Sequence, residues 1–161
     1  MTEDHITKEG SMKKNSMIKV AAVTGAAMTA VLIPLGGTSY AAGCLSTGCD
    51  NKGPVSMNCD DQYTSTVRTV NNNERIAELR WSSTCDAAWV RVHNTSSNPT
   101  YNAFGYIEKY NSSGTLLKSL SVAVPDSGND WSNMLGGASY YYRVCISFQG
   151  NEYPLKCSTK F

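Results

Sequence analysis

Hydrophobic residues recur at every second position through much of the chain. Within Arg75–Trp81, Ala77, Leu79 and Trp81 share one phase, while Glu78 and Arg80 take the other. Ala88, Val90 and Val92 repeat the pattern, and Leu120, Val122 and Val124 alternate with Ser119, Ser121 and Ala123. The longest run sets Tyr140, Tyr142, Val144, Ile146 and Phe148 against Tyr141, Arg143, Cys145 and Ser147. An extended chain sends successive side chains to opposite faces, so this period predicts strands with one buried face. Tyr63–Val70 and Tyr153–Thr159 are further β-rich runs. Between the runs lie turn-forming residues: Asn71–Asn73, Asn94–Thr100, Asn111–Gly114, Pro125–Asp130, Gly136-Gly137 and Gln149–Glu152. No stretch repeats with helical spacing, and Ser132–Leu135 reads at most as a short turn. The pattern predicts an all-β domain over residues 63–161, a small antiparallel β-sandwich or barrel, with Trp81 and Trp131 in its core.

The pattern is different before residue 63. Residues 43–62 are turn-rich, contain Cys49-Asp50-Asn51-Lys52-Gly53-Pro54, and predict a cysteine-pinned loop. Residues 1–42 read as a secretion signal. Met12, Lys13, Lys14 and Lys19 form a positive start, Val20–Leu35 an apolar stretch, and Ser39-Tyr40-Ala41 a cleavage-like end. Pro34, Gly36 and Gly37 interrupt the apolar stretch, which favours a cleaved leader over a membrane anchor. Residues 1–11 are polar and acidic, as expected of a spurious extension ahead of a start at Met12 or Met17. Ala41-Ala42-Gly43-Cys44 is similar to a lipoprotein box, but Ala41 stands where Leu is usual, and lipidating Cys44 would leave an odd number of thiols.

All six cysteines, Cys44, Cys49, Cys59, Cys85, Cys145 and Cys157, follow the leader. An even number in an oxidising compartment predicts disulfides. A hairpin centred on Asn151 sets Cys145 opposite Cys157, at a separation that suits a bridge. The remaining four are then expected to pair as Cys44–Cys49 and Cys59–Cys85. The other reading is a zinc site built on Cys44-x4-Cys49 and Cys59; export favours oxidation, and no histidine lies close by in sequence.

Charge narrows the partners. Four of the fourteen Lys/Arg and three of the thirteen Asp/Glu precede Gly43, so the remainder is balanced. It lacks the basic run that would replace phosphate counterions, so no nucleic-acid partner is expected.

The run Glu78-Leu79-Arg80-Trp81-Ser82-Ser83-Thr84-Cys85-Asp86-Ala87-Ala88-Trp89-Val90-Arg91-Val92 is distinctive, as is Cys44-x4-Cys49-Asp50-x-Lys52-x-Pro54 with Cys59. Together they resemble the YjfA-like family, small exported proteins of Gram-positive bacteria built on a domain of unknown function. The resemblance is strong over residues 44–94 and weak beyond. It implies export and disulfides, and it supplies no activity and no catalytic residues.

Candidate chemistry is sparse. His93 is the one histidine after the leader and sits at a strand end, where it reads as a surface imidazole. Asp60-Asp61 and Asp126/Asp130 could serve as paired carboxylates, but they occupy turn-like sequence where Asp is favoured for local hydrogen bonds. Asp126–Asp130 lacks a full calcium-loop pattern. Trp89 and Tyr141 fall out of phase with their core-facing neighbours, so with Arg91 they are the candidate binding residues on an exposed sheet face; the alternative is that loops cover both faces. The expectation is a monomeric, non-catalytic binding or interaction module without a cofactor. It would be secreted or associated with the cell wall, engage an extracellular protein or cell-wall glycan, and have no stable membrane insertion after cleavage. The alternatives are a secreted antagonist, either a protease inhibitor or an antibacterial factor, presenting the loop Asn51–Asn58, and a cell-wall or glycan hydrolase.

Overall fold

The computed structural model describes residues 41–96, 102–125, 127–149 and 154–161. The leader, apart from Ala41 and Ala42, lies outside these residues. So do the 1–11 extension, Asp126 and most of the turn after Gln149.

The domain is all-β, a sandwich of two antiparallel sheets. The first contains β1 (Thr64–Asn71), β2 (Arg75–Ser82), β3 (Ala87–Asn94) and β6 (Asn129–Trp131) in that order, with β7 (Leu135–Gly136) also paired to β3. The second has the order β5 (Leu116–Val124), β4 (Ala103–Tyr110), β8 (Tyr141–Phe148) and β9 (Lys156–Cys157). Hairpin chemistry sets the register. Asn73 and Glu74, both at φ 45°, form a two-residue turn between β1 and β2, closed by the Asn72 N–H donating to the Arg75 carbonyl at 2.9 Å. Positive φ at both central positions gives the turn a twist that matches its strands. From there β2 and β3 pair without interruption from Arg75↔Asn94 to Ser82↔Ala87.

The alternating residues meet between the sheets. Val70, Ala77, Leu79, Ala88, Val90 and Val92 from the first sheet pack against Ala103, Ile107, Val124, Tyr142, Val144 and Ile146 from the second. Strand β4, absent from the expectations above, is central to the second sheet because it pairs with both β5 and β8. Its inward positions are Ala103, Gly105, Ile107 and Lys109, all buried. Gly105 lets the sheets close: a Cβ there would lie 2.2 Å from Val92 Cγ2 and 3.3 Å from Val90 Cγ2. Gly105→Ala is therefore expected to destabilise the domain by about 1–3 kcal/mol through overpacking, read as a lower urea midpoint with an unchanged slope.

The outer face of β3 is covered at Ala87 and Trp89, which corrects the expectation of an accessible Trp89. Trp89 is 1 % exposed and lies in a second cluster with Cys49, Cys59, Cys85, Ala87 and Met134. The cover is the segment preceding β1, which includes a short 3-10 turn at Ser46–Cys49. It is tied down by Ser46 N–H to the Cys85 carbonyl (2.8 Å), Asn51 N–H to the Met134 carbonyl (2.8 Å) and Met134 N–H to the Lys52 carbonyl (2.9 Å). Disulfides Cys44–Cys49 and Cys59–Cys85 lie in this layer, while Cys145–Cys157 joins facing residues of β8 and β9. Trp131 departs from its expected core position in the other direction. It is 40 % exposed, because β6 runs along the open side of β3 with all three of its residues in solvent.

The capping layer meets the sandwich through Asp50 and Lys109. Lys109 is buried at the end of β4, and its ammonium donates to the Gly136 carbonyl at 2.5 Å. It also lies 3.5 Å from Asp50 Oδ1 and 4.1 Å from the centre of the Tyr140 ring. The same Asp50 carboxylate accepts the Gly136 N–H at 2.7 Å and has Lys118 Nζ at 3.6 Å. Gly136 is required by the close approach, since a Cβ would sit 1.8 Å from the Ser46 carbonyl oxygen.

Candidate functional site

Residues 140–142 are three successive tyrosines, and on a strand they cannot all face the same way. Tyr142 turns into the core and Tyr141 turns out, 47 % exposed. Beside them β2 delivers Trp81, and the end of the described chain delivers Phe161. The backbone of Phe161 pairs with Tyr142 through two hydrogen bonds, of 3.0 and 2.8 Å, so the last residues extend the edge of the second sheet. Trp81, Tyr140, Tyr141, Tyr142 and Phe161, with Ala138 and Ser139, line a pocket of about 390 Å³. The Trp81 ring centre lies 5.9 Å from both Tyr142 and Phe161, tilted by 47° and 60°.

The Tyr142 hydroxyl donates to the Gly137 carbonyl at 2.7 Å. Burial, helped by the negative charges of Asp50 and Asp86 and by neighbouring Tyr140, pushes its phenol well above the ordinary tyrosine value. Tyr142 is thus a fixed neutral wall of the pocket. The lining offers aromatic faces and hydroxyls, with no carboxylate, imidazole or amine side chain among the lining residues. Such a surface can stack on a ring and hydrogen-bond a polar rim.

The other sequence candidates do not assemble at this pocket. Arg91 projects from the opposite outer face, where its Nε donates to Glu78 Oε2 at 2.6 Å. His93 Nε2 lies 3.3 Å from the same oxygen. Burial alone would raise the Glu78 carboxyl, but these two partners hold it below its usual value. Trp89, Arg91 and Tyr141 thus have three different settings: beneath the capping layer, on the outer face of the first sheet, and at the pocket on the second. The carboxylates are separate as well. Asp60 Oδ1 is 3.7 Å from Arg80, and Asp61 accepts from Tyr63 N–H (2.9 Å) and the Thr84 hydroxyl (3.0 Å). Asp130 pairs across from Val92, further along β3, and accepts the Trp131 N–H at 2.8 Å. On the second sheet, Glu108 accepts from Arg143 Nε and from the Tyr110 hydroxyl, both at 2.5 Å. These acids serve nearby donors rather than a shared cavity.

Sequence reasoning singled out Tyr141 but treated Trp81 only as core. The three-tyrosine run was the available signal for the pocket, because alternation forces at least one of those rings outward. Nothing local marked Phe161, whose place depends on pairing with β8.

One sulfur arrangement bears on metal chemistry. The Sγ atoms of Cys44, Cys49, Cys59 and Cys85 all lie within 4.8 Å of one another, and Cys44 Sγ is 3.8 Å from Cys59 Sγ. They form two disulfides, and disulfide sulfurs are not thiolate ligands.

No curated protein and no solved structure matches the chain. A family model described as protein of unknown function (DUF2690) matches residues 47–140, from the 3-10 turn to the first tyrosine of the pocket. That match covers more than half of the sequence, and the chain belongs to this family of unknown function, DUF2690.

Proposed function

We propose that this protein is an exported, non-catalytic binding module whose aromatic pocket engages a cell-wall glycan or an extracellular protein segment. The observation that carries this reading is the pocket itself. Solvent reaches Tyr141 and Phe161, each at least 40 % exposed, beside a half-buried Trp81. Several aromatic side chains gathered at one concave site are what recognition of a ring or an aromatic side chain requires. Export is supported by the leader-like pattern of residues 12–42, by six cysteines that all pair, and by the YjfA-like resemblance. On this reading residues 1–42 are removed, and the module is a monomer that is free outside the cell or held at the wall.

The pocket predicts its own test. Titration with soluble wall-glycan fragments, and separately with peptides from secreted proteins, should change Trp81 fluorescence, with saturation for one class. Tyr141→Ala should weaken that binding by about fivefold or more, because an interfacial aromatic typically contributes about 1–3 kcal/mol. It should leave the unfolding midpoint almost unchanged, since Tyr141 is outside the core. No saturable signal from either class, or equal affinity in Tyr141→Ala, would remove the pocket from consideration. A second reading, a secreted antagonist, is supported by the loop Asn51–Asn58. Val55 there is 53 % exposed, and the Cys44–Cys49 and Cys59–Cys85 bridges flank the loop and lower the ordering cost of presenting it to a protease.

A further inference from the structure

The four sulfurs of the capping layer are closer together than two independent bridges require. We infer that, once its two disulfides are reduced, this layer is a tetrathiolate zinc site formed by Cys44, Cys49, Cys59 and Cys85.

The geometry suits the ion. Zinc binds four thiolates tetrahedrally at about 2.3 Å, which places neighbouring sulfurs about 3.8 Å apart. Cys44 Sγ and Cys59 Sγ, from different disulfides, are already 3.8 Å apart, and no pair among the four exceeds 4.8 Å. One ion at the centre of this group therefore needs sulfur shifts that side-chain rotation can supply.

Contacts not made by sulfur hold the ligands in place. Ser46 N–H bonds the Cys85 carbonyl, Cys59 N–H bonds the Pro54 carbonyl, and Asn51 and Lys52 exchange backbone bonds with Met134. Asp50 accepts the Gly136 N–H. None of these bonds involves a sulfur atom. The site is also shielded: Cys49, Cys59 and Cys85 are buried beside Ala87, Trp89 and Met134. A dry apolar shell around soft thiolates favours zinc over calcium or magnesium, which prefer oxygen ligands.

The chemistry balances. Each disulfide takes two electrons and two protons from a dithiol reductant, which closes to its own disulfide. Zn²⁺ then replaces the four thiol protons, breaking four S–H bonds and forming four Zn–S bonds, and four protons are released. The oxidised chain holds the same four residues as two cystines, so the layer has two closed forms that exclude each other.

Cobalt(II) and zinc(II) salts test this on the exported chain. The chain is fully reduced with excess dithiol, freed of it by anaerobic gel filtration, and titrated. The reduced chain should take up one Co²⁺ with the intense visible bands of tetrahedral thiolate coordination, and Zn²⁺ should displace it. The oxidised chain should show no such bands. Cys145→Ser/Cys157→Ser should retain the spectrum, whereas Cys59→Ser/Cys85→Ser should lose it. Cys44→Ser/Cys49→Ser, which is purified with its 59–85 bridge intact before reduction, should lose it as well. Absence of tetrahedral bands from the reduced wild-type chain would overturn the inference. So would bands that persist in either variant lacking a capping-layer pair.

Discussion

Removing the Cys59–Cys85 bridge by Cys59→Ala/Cys85→Ala is expected to cost more stability than removing either other bridge. The bridge closes a sequence separation of 26, against 12 for Cys145–Cys157 and 5 for Cys44–Cys49. Loop-closure entropy in the denatured chain then gives about 3.5, about 2.8 and about 2 kcal/mol respectively. Packing widens the first gap, because Cys59 and Cys85 are fully buried against Trp89 and their loss loosens the layer that covers it. For a domain whose total margin is about 5–15 kcal/mol, the first loss is large. Urea unfolding followed by tryptophan fluorescence checks both parts: the midpoint falls furthest for the 59/85 pair, and the native emission shifts to the red as Trp89 meets water. A larger loss from the 145/157 pair would mean that the sandwich, and not the capping layer, depends most on covalent bracing.

Asp50→Ala is the second large effect expected. It leaves the buried Lys109 ammonium with the Gly136 carbonyl and the Tyr140 ring but without its anion. Breaking a buried pair from one side costs about 3–5 kcal/mol. Asp50 keeps a quarter of its side-chain surface in solvent, so about 2–3 kcal/mol is expected here. The Gly136 N–H loses its acceptor in the same substitution. Lys109→Met removes the charge while keeping an unbranched apolar stem. The double variant Asp50→Ala/Lys109→Met should therefore be more stable than the two separate losses added together. Chemical unfolding of all four proteins gives the coupling directly, and additivity would show that the ion pair does not hold the capping layer to the sandwich.

How much of this was legible in the chain follows from what kind of contact each feature needs. Strands β2, β3 and β8 were legible because Ala77-x-Leu79-x-Trp81, Ala88-x-Val90-x-Val92 and Tyr142-x-Val144-x-Ile146 carry their own burial pattern. Strand β4 was not. Its inward positions hold a glycine that closes the sheets and a lysine neutralised from a distant loop, so its hydrophobic signal vanishes although it is central. Strands β6 and β7 are two or three residues long, too short for any period to show. Trp89 was legible as out of phase with the core but not as buried, because its cover is an irregular segment that arrives from residues 42–59. The pocket combines Trp81, the tyrosine run and Phe161, three segments joined only by tertiary pairing, so sequence pointed to Tyr141 and not to its company.

Disulfide mapping of the native exported protein tests the central claim, that sulfur bridges brace a two-sheet sandwich and its capping layer. Alkylation under denaturing, non-reducing conditions, followed by proteolysis and mass spectrometry, should find no alkylated cysteine and three cystine-linked species: Cys44–Cys49, Cys59–Cys85 and Cys145–Cys157. Free thiols at any of the six positions, or a bridge between the capping layer and β8 or β9, would contradict the account.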